Sequence, residues 1–192
     1  MSTSPMNEEL LQIAEALLTA SPEPLTQVKF NQSLERDDVR LSDVVTALKQ
    51  LFHEQQRPVD IMPLAGGYQL VTRAEYQPYL RRLLRRAGPI SLSRAALETL
   101  AVVAYRQPVT RAELDQVRGV NCESVLRTLL EKTLVTVRGR DEGVGRPLLY
   151  GTTKGFLQAF GLNNLSDLPR LREVEEIMGA ERPPPLVDHA AE

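Results

Sequence analysis

The stretch Ser93–Gly119, SRAALETLAVVAYRQPVTRAELDQVRG, decides the fold. Leu97, Leu100, Ala101 and Ala104 recur at i, i+3, i+4 and i+7, one face of a helix over Ser93–Arg106. Val102, Val103 and Tyr105 widen that stripe, and a helix apolar on most sides is expected to be buried on most sides. Pro108 stops it. Thr110 then opens a second helix, with Glu113 three residues on as the partner in a capping box. Gly119 stands where a left-handed residue closes that helix. A third helix follows over Asn121–Lys132, so the stretch reads as the start of a helix-turn-helix module.

Outward from there, the period changes. Val135–Arg138 and Leu148–Gly151 read as strands joined by the loop Gly139–Pro147, and Lys154–Phe160 as a closing helix. The region before Ser93 repeats the plan. Helices are expected over Asn7–Ala20, Thr26–Leu34 and Leu41–Gln55, the first capped by Asn7. A hairpin follows, Val59–Met62 and Tyr68–Thr72 around Pro63–Gly67. Thr72 and Glu75 form a second capping-box pattern ahead of a helix over Arg73–Arg86. Gly88-Pro89 marks a boundary.

The halves match residue for residue in places. Pro24-Leu25-Thr26 answers Pro108-Val109-Thr110, Leu48 and Leu51 answer Leu126 and Leu129, and Tyr68 answers Tyr150. The offset, about 80 residues, is too long for a solenoid and indicates a duplicated domain. Three helices and a β-hairpin make a winged helix. The expected fold is therefore mainly α with small β-hairpins (α+β), as two tandem winged-helix domains at 1–87 and 88–178. A tail at 179–192, with Pro183-Pro184-Pro185, reads as disordered. The competing reading is one α-rich domain with two hairpins.

Composition narrows the function. The 192 residues are 42% apolar and carry a net charge of −2, so nothing global attracts phosphate. Cys122 is the single cysteine, which excludes an intrachain disulfide and a multi-cysteine metal cage. The first nine residues lack the basic and apolar regions of a signal peptide, and no run approaches the ~20 apolar residues of a membrane span. These features point to a soluble, cytoplasmic protein.

Winged helices commonly read DNA through the third helix. Here Leu41–Gln55 carries Asp43, Lys49 and Glu54, and Asn121–Lys132 carries Glu123, Arg127, Glu131 and Lys132. Neither is basic, and phosphate neutralisation supplies much of DNA affinity. Arg138, Arg140 and Arg146 in the second wing are offset by Asp141 and Glu142. The cluster Arg81, Arg82, Arg85 and Arg86 reads first as a solvated helix face, and otherwise as a contact for an acidic partner or a phosphate.

Catalytic patterns are missing too. His53 and His189 are the only histidines, and neither has a second ligand at metal spacing. Gly151-Thr152-Thr153-Lys154-Gly155 has the wrong order for a phosphate loop. There is no Gly-x-Ser-x-Gly elbow. Cys122 sits near a helix start without a histidine beside it, so it reads as structural. No cofactor, metal or catalytic residue is expected. The helix over Ser93–Arg106 is more apolar than one small core requires, and surplus apolar surface often marks a partner site.

The run Ser93–Leu171 is similar to the ScpB family of bacteria. The residues that carry the resemblance are Ala96-Leu97-Glu98-Thr99-Leu100-Ala101, Ala104 to Glu113, Arg118-Gly119-Val120-Asn121, Val125 to Leu130, Gly145 to Thr153, Phe160-Gly161-Leu162 and Leu165 to Pro169. The first half resembles the family in layout and in Gly66-Gly67-Tyr68-Gln69-Leu70. Two positions depart from the pattern: Cys122 where serine is commoner, and Thr133 where glycine tends to stand.

The resemblance implies a non-catalytic winged-helix "kite" subunit of the bacterial SMC condensin, cytoplasmic and nucleoid-associated. Such subunits form homodimers, largely through their N-terminal modules. They hold the central segment of the kleisin ScpA, which bridges the SMC ATPase heads, and support chromosome condensation and segregation. A kleisin segment that orders on binding needs apolar grooves to offset its lost entropy. The candidate contacts are Leu97, Ala101, Tyr105, Arg106, Arg146, Pro147 and Tyr150. For each apolar member the core reading stands slightly ahead of the interface reading, whereas a core would reject Arg106 and Arg146. For dimerisation the candidates are Leu10, Ile13, Leu17 and Leu18, part of which must also build the local core. The alternative function is a winged-helix DNA-binding transcription regulator.

Overall fold

Thr110 accepts the Glu113 backbone N–H at 3.3 Å, and the Glu113 carboxylate accepts the Thr110 backbone N–H at 2.7 Å. This is the reciprocal capping box that the spacing predicts, and it opens the helix Arg111–Arg118 in the second half. Gly119 closes the same helix at φ 69°, in the left-handed region. The computed structural model describes residues 8–84 and 92–170. Asn7, Arg85, Arg86, the Gly88-Pro89 boundary, His189 and the 179–192 tail lie outside the described residues.

The first half runs α1 (Glu8–Ala20), α2 (Gln27–Leu34), α3 (Leu41–Glu54), β1 (Val59–Leu64), β2 (Gly67–Thr72), a 3₁₀ turn (Ala74–Tyr76) and α4 (Gln77–Leu83). The second runs α5 (Arg94–Arg106), β3 (Val109–Thr110), α6 (Arg111–Arg118), α7 (Glu123–Glu131), β4 (Val135–Arg140), β5 (Leu148–Thr152), α8 (Lys154–Phe160) and a 3₁₀ turn (Leu165–Asp167). Helices and small antiparallel sheets therefore mix as expected.

Each half buries its own cluster. Phe30 and Phe52 sit with Leu18, Leu41, Leu48 and Ile61 in the first, and Leu100, Leu114, Leu129, Leu134 and Phe156 sit together in the second. Every pair of described elements in extended contact lies within one half.

Four expectations are corrected. The buried face of α5 is Ala96, Thr99, Leu100, Val103 and Ala104, not the Leu97–Leu100–Ala101–Ala104 stripe. Leu97 is 45% and Tyr105 40% exposed, and Ala101 faces outward as well. Thr99 turns inward because partners wait there: Arg118 donates to its hydroxyl at 3.4 Å, beside the Cys122 sulfur. An apolar helix has more than one possible buried register, and long-range partners choose between them.

Second, Thr72 and Glu75 form no cap. Arg73 precedes a 3₁₀ turn, and the α-helix starts only at Gln77, with Pro78 in its first turn. Third, Pro63 and Leu64 belong to β1, so the loop shrinks to Ala65 and Gly66 at φ 50° and 79°. Two successive positive-φ residues are the mark of a hairpin turn that matches strand twist. Fourth, Val109–Thr110 is a third strand, giving the sheet order β3-β5-β4, with a cis peptide at Gln107-Pro108. Val109 pairs with Tyr150, and in the first half Leu25 makes the matching bridge to Tyr68. Thr133, the departure from the family pattern, adopts φ 53° after α7. A β-branched residue there carries about 1–2 kcal/mol of local strain.

Candidate functional site

The structure distributes the expected contact residues over neighbouring surfaces of the second half. Pro147 and Tyr150 line a groove of about 490 Å³ between α6, α7 and β5, with Ala112, Leu126, Leu130 and Leu148 as apolar lining. Arg111 and Glu123 pair across it at 2.8 Å, and Arg127 adds a second guanidinium. The groove therefore offers an apolar floor with charge at the rim.

Arg106 lies instead in a second hollow of about 570 Å³, with Val109, Glu113, Gln116 and Val117. The two Thr110 hydrogen bonds hold the Glu113 carboxyl below the usual carboxylate range, and the charge of Arg106 adds to the effect. Helix α6 is the wall between the hollows: Arg111 and Ala112 face one, Gln116 and Val117 the other.

Leu97, Ala101 and Tyr105 form an exposed stripe along α5 at i, i+4 and i+8. They are thus surface residues and not members of the core. The Tyr105 hydroxyl donates to the Pro169 carbonyl at 2.7 Å, so part of this stripe is met by the chain's own 168–170 segment. Arg146 is exposed at the wing with φ 42°, and its carbonyl accepts from Arg140 at 3.2 Å.

Sequence reasoning missed Arg111, Arg127, Leu126, Leu130 and Leu148 as groove residues. Leu130 carried the available signal. It is apolar and adjacent to the Leu126–Leu129 core pair, one position beyond what the core stripe uses.

The dimer candidates divide. Leu18 is 2% exposed and packs in the first core with Ala14, so its side chain is not on offer to a second chain. Leu10 and Leu17 are half-buried against that core, and Ile13 is 38% exposed. Leu10, Ile13 and Leu17 share one side of α1.

The remaining polar candidates take structural or solvent roles. Burial pushes the Cys122 thiol above its ordinary range, and its N–H donates to Asp115 at 2.7 Å, anchoring the start of α7. His53 is exposed on α3. Arg81 and Arg82 project from α4, Arg82 lying 6.0 Å from the Tyr79 ring. Among the described residues, no group of three or more His, Cys, Asp or Glu is gathered where a metal could be held. No described helix is long and apolar enough to cross a membrane.

Comparison with known proteins gives this geometry a family. The family model described as segregation and condensation complex subunit ScpB matches residues 12–171. Segregation and condensation protein B of Geobacillus thermodenitrificans is 45% identical over 162 residues, covering 84% of this chain and 78% of that protein. Its counterpart from Syntrophotalea carbinolica is 45% identical over 169 residues, covering 88% of this chain and 85% of that one. The crystal structure of ScpB from Mycobacterium tuberculosis aligns at 37% identity and TM-score 0.38, over 83% of this chain and 99% of that chain. A dimer of an ScpB N-terminal domain complexed with ScpA peptide aligns at 30% identity and TM-score 0.36, over 40% of this chain and 95% of that one. The chain belongs to the ScpB family of segregation and condensation complex subunits.

Proposed function

We propose that this chain is a non-catalytic adaptor of a bacterial SMC complex, built as two winged-helix domains at 1–87 and 88–178. In this reading it forms a homodimer and holds the central segment of the kleisin ScpA, reaching the SMC ATPase only through ScpA. It works in the cytoplasm, at the nucleoid. Family membership supports the assembly. The groove supports the mode of binding, and it is the observation that carries the proposal.

A DNA-reading winged helix presents cations on the third helix. Here the equivalent helix, α7, lines a groove with Leu126 and Leu130 and brings Arg127 to it, while Arg111 from α6 is paired with Glu123. Such a surface suits a peptide with apolar anchors. Leu97, Ala101 and Tyr105 add a separate exposed apolar stripe on α5, and Arg106 in the second hollow and Arg146 at the wing add charge. The first-half face of Leu10, Ile13 and Leu17 is assigned to the second copy.

Titration calorimetry with a peptide spanning the ScpA central segment tests the assignment. Leu130→Asp, which charges the groove wall, is expected to cost about 2 kcal/mol of binding, roughly 30-fold in Kd. Unchanged affinity in a folded Leu130→Asp protein would remove the groove from the binding site. Tight, salt-dependent binding to bare duplex by the parent protein, with no affinity for ScpA, would favour the DNA-regulator alternative.

A further inference from the structure

The tip of the first hairpin is used in an unusual way. In a two-residue hairpin turn the amides of the two central residues point away from the strands, ordinarily to water. Here both find protein acceptors. The Ala65 N–H donates to the Leu162 carbonyl at 3.0 Å, and the Gly66 N–H donates to the Asn163 side-chain oxygen at 3.0 Å. Ala65 is 6% exposed and Leu64 7%, although neither belongs to either hydrophobic core. The other half therefore meets this tip at two backbone amides, one on buried Ala65 and one on exposed Gly66.

The acceptors are held firmly. Gly161 ends α8 in the left-handed region, and the Leu162 N–H returns to the Leu157 carbonyl at 2.9 Å. The N–H groups of Asn163 and Asn164 both donate to the Asp167 carboxylate, at 2.9 and 3.0 Å. The Asn163 side chain is thus carried on a braced loop. Charge crosses the same joint. Glu23 pairs with Lys29 at 2.8 Å, which lowers its carboxyl, and Lys154 at the start of α8 adds to that lowering. These residues border a crevice of about 120 Å³ between the halves.

We propose that the Ala65–Gly66 turn and the Leu162–Asn163 segment form a releasable latch that sets the angle between the two halves of the chain. The joint is narrow, since extended packing stays within each half. Few contacts therefore decide the angle, and losing them frees it. Closed, the latch holds the α5 stripe and the α6–α7–β5 groove in a fixed relation to the first half. Open, the two halves turn independently.

Distances between spin labels test this in the full-length protein. Gln50→Cys on α3 and Ala159→Cys on α8 place labels on exposed sites in different halves, and Cys122 is too buried to compete. Dilution with excess unlabelled chain removes distances between copies. The parent is expected to give one narrow distance peak. Asn163→Ala deletes the Gly66 acceptor while keeping its own backbone bond to Asp167, and Lys154→Glu sets two carboxylates across the crevice. Together they are expected to abolish the narrow peak, with helix content and the thermal transition of the second half unchanged. A parent distribution that is already broad overturns the latch, whatever the variants do. So does a narrow peak that survives both substitutions at the same distance.

Discussion

The two halves start from one plan and use their hairpins in opposite directions. In each, a three-residue segment before the second helix pairs with a tyrosine of the hairpin: Leu25 with Tyr68, Val109 with Tyr150. In each, the threonine that follows caps that helix, Thr26 accepting from Lys29 and Thr110 from Glu113. Beyond that the hairpins diverge. The β1–β2 ladder is regular and ends in a two-residue turn of buried Ala65 and exposed Gly66. The β4–β5 ladder shifts register between Val137 and Gly139 and opens into a longer loop that exposes Arg146. One hairpin tip faces the neighbouring half, and the other faces solvent. Two halves with separate cores and matching threonine caps can thus point their hairpins at different surroundings.

Separate cores make the sharpest test of that comparison. Phe30→Ala removes an unexposed ring from the first cluster, and Leu114→Ala trims the second. Such truncations cost about 3–5 and 2–5 kcal/mol respectively. Scanning calorimetry is expected to show each variant lowering the transition of its own half alone. A single transition that both variants shift equally would mean that the halves unfold as one body.

The glycines beside the paired tyrosines give a smaller contrast. A Cβ on Gly67 would stand 2.7 Å from the Leu25 carbonyl oxygen, a backbone atom tied into the Leu25–Tyr68 bridge. On Gly151 it would meet side chains, Arg138 Cγ and Gln107 Oε1, each at 2.9 Å. Backbone cannot give way without breaking the bridge. Gly67→Ala is therefore expected to cost about 2–3 kcal/mol in urea titration, and Gly151→Ala about 1 kcal/mol. Equal costs would show that the first bridge yields as easily as a side chain.

Much of this architecture is legible from local chemistry. The Thr110–Glu113 box, the Gly119 terminus, α8 at Lys154–Phe160 and the repeated Pro-x-Thr segments all depend on residues a few positions apart. What the sequence hides depends on distant partners. The buried face of α5 is chosen by Arg118 and Cys122, which lie on or beyond the next helix. Strand β3 spans Val109–Thr110 only and shows no period to read. The groove is assembled from α6, α7 and β5, so no contiguous motif announces it. Leu18 and Leu17 are neighbours in sequence, yet only packing against α3 tells which one the core takes.

The smallest expected effect separates the two threonine caps. Thr110 is half of a reciprocal pair, because Glu113 returns a carboxylate to its N–H and hydroxyl. At the same position in the first half stands Lys29, which cannot accept. The Glu113 carboxyl is held below its ordinary range by those Thr110 bonds first, and by Arg106 after them. A carboxyl depressed in the folded state stabilises above its unfolded pKa, and the contribution is lost as pH falls through the folded value. Glu113 is exposed, so solvent screening limits the whole effect to about 0.5 kcal/mol. Thermal unfolding of Glu113→Ala should therefore lie below the parent at neutral pH, and the two curves should converge once pH drops beneath the carboxylate range. The first cap has no titrating half, and any pH dependence of Lys29→Ala arises instead from its ion pair with Glu23, outside the cap. A Glu113→Ala deficit that stayed constant into acid would mean that the carboxylate acts through packing alone, and that the two caps are physically alike.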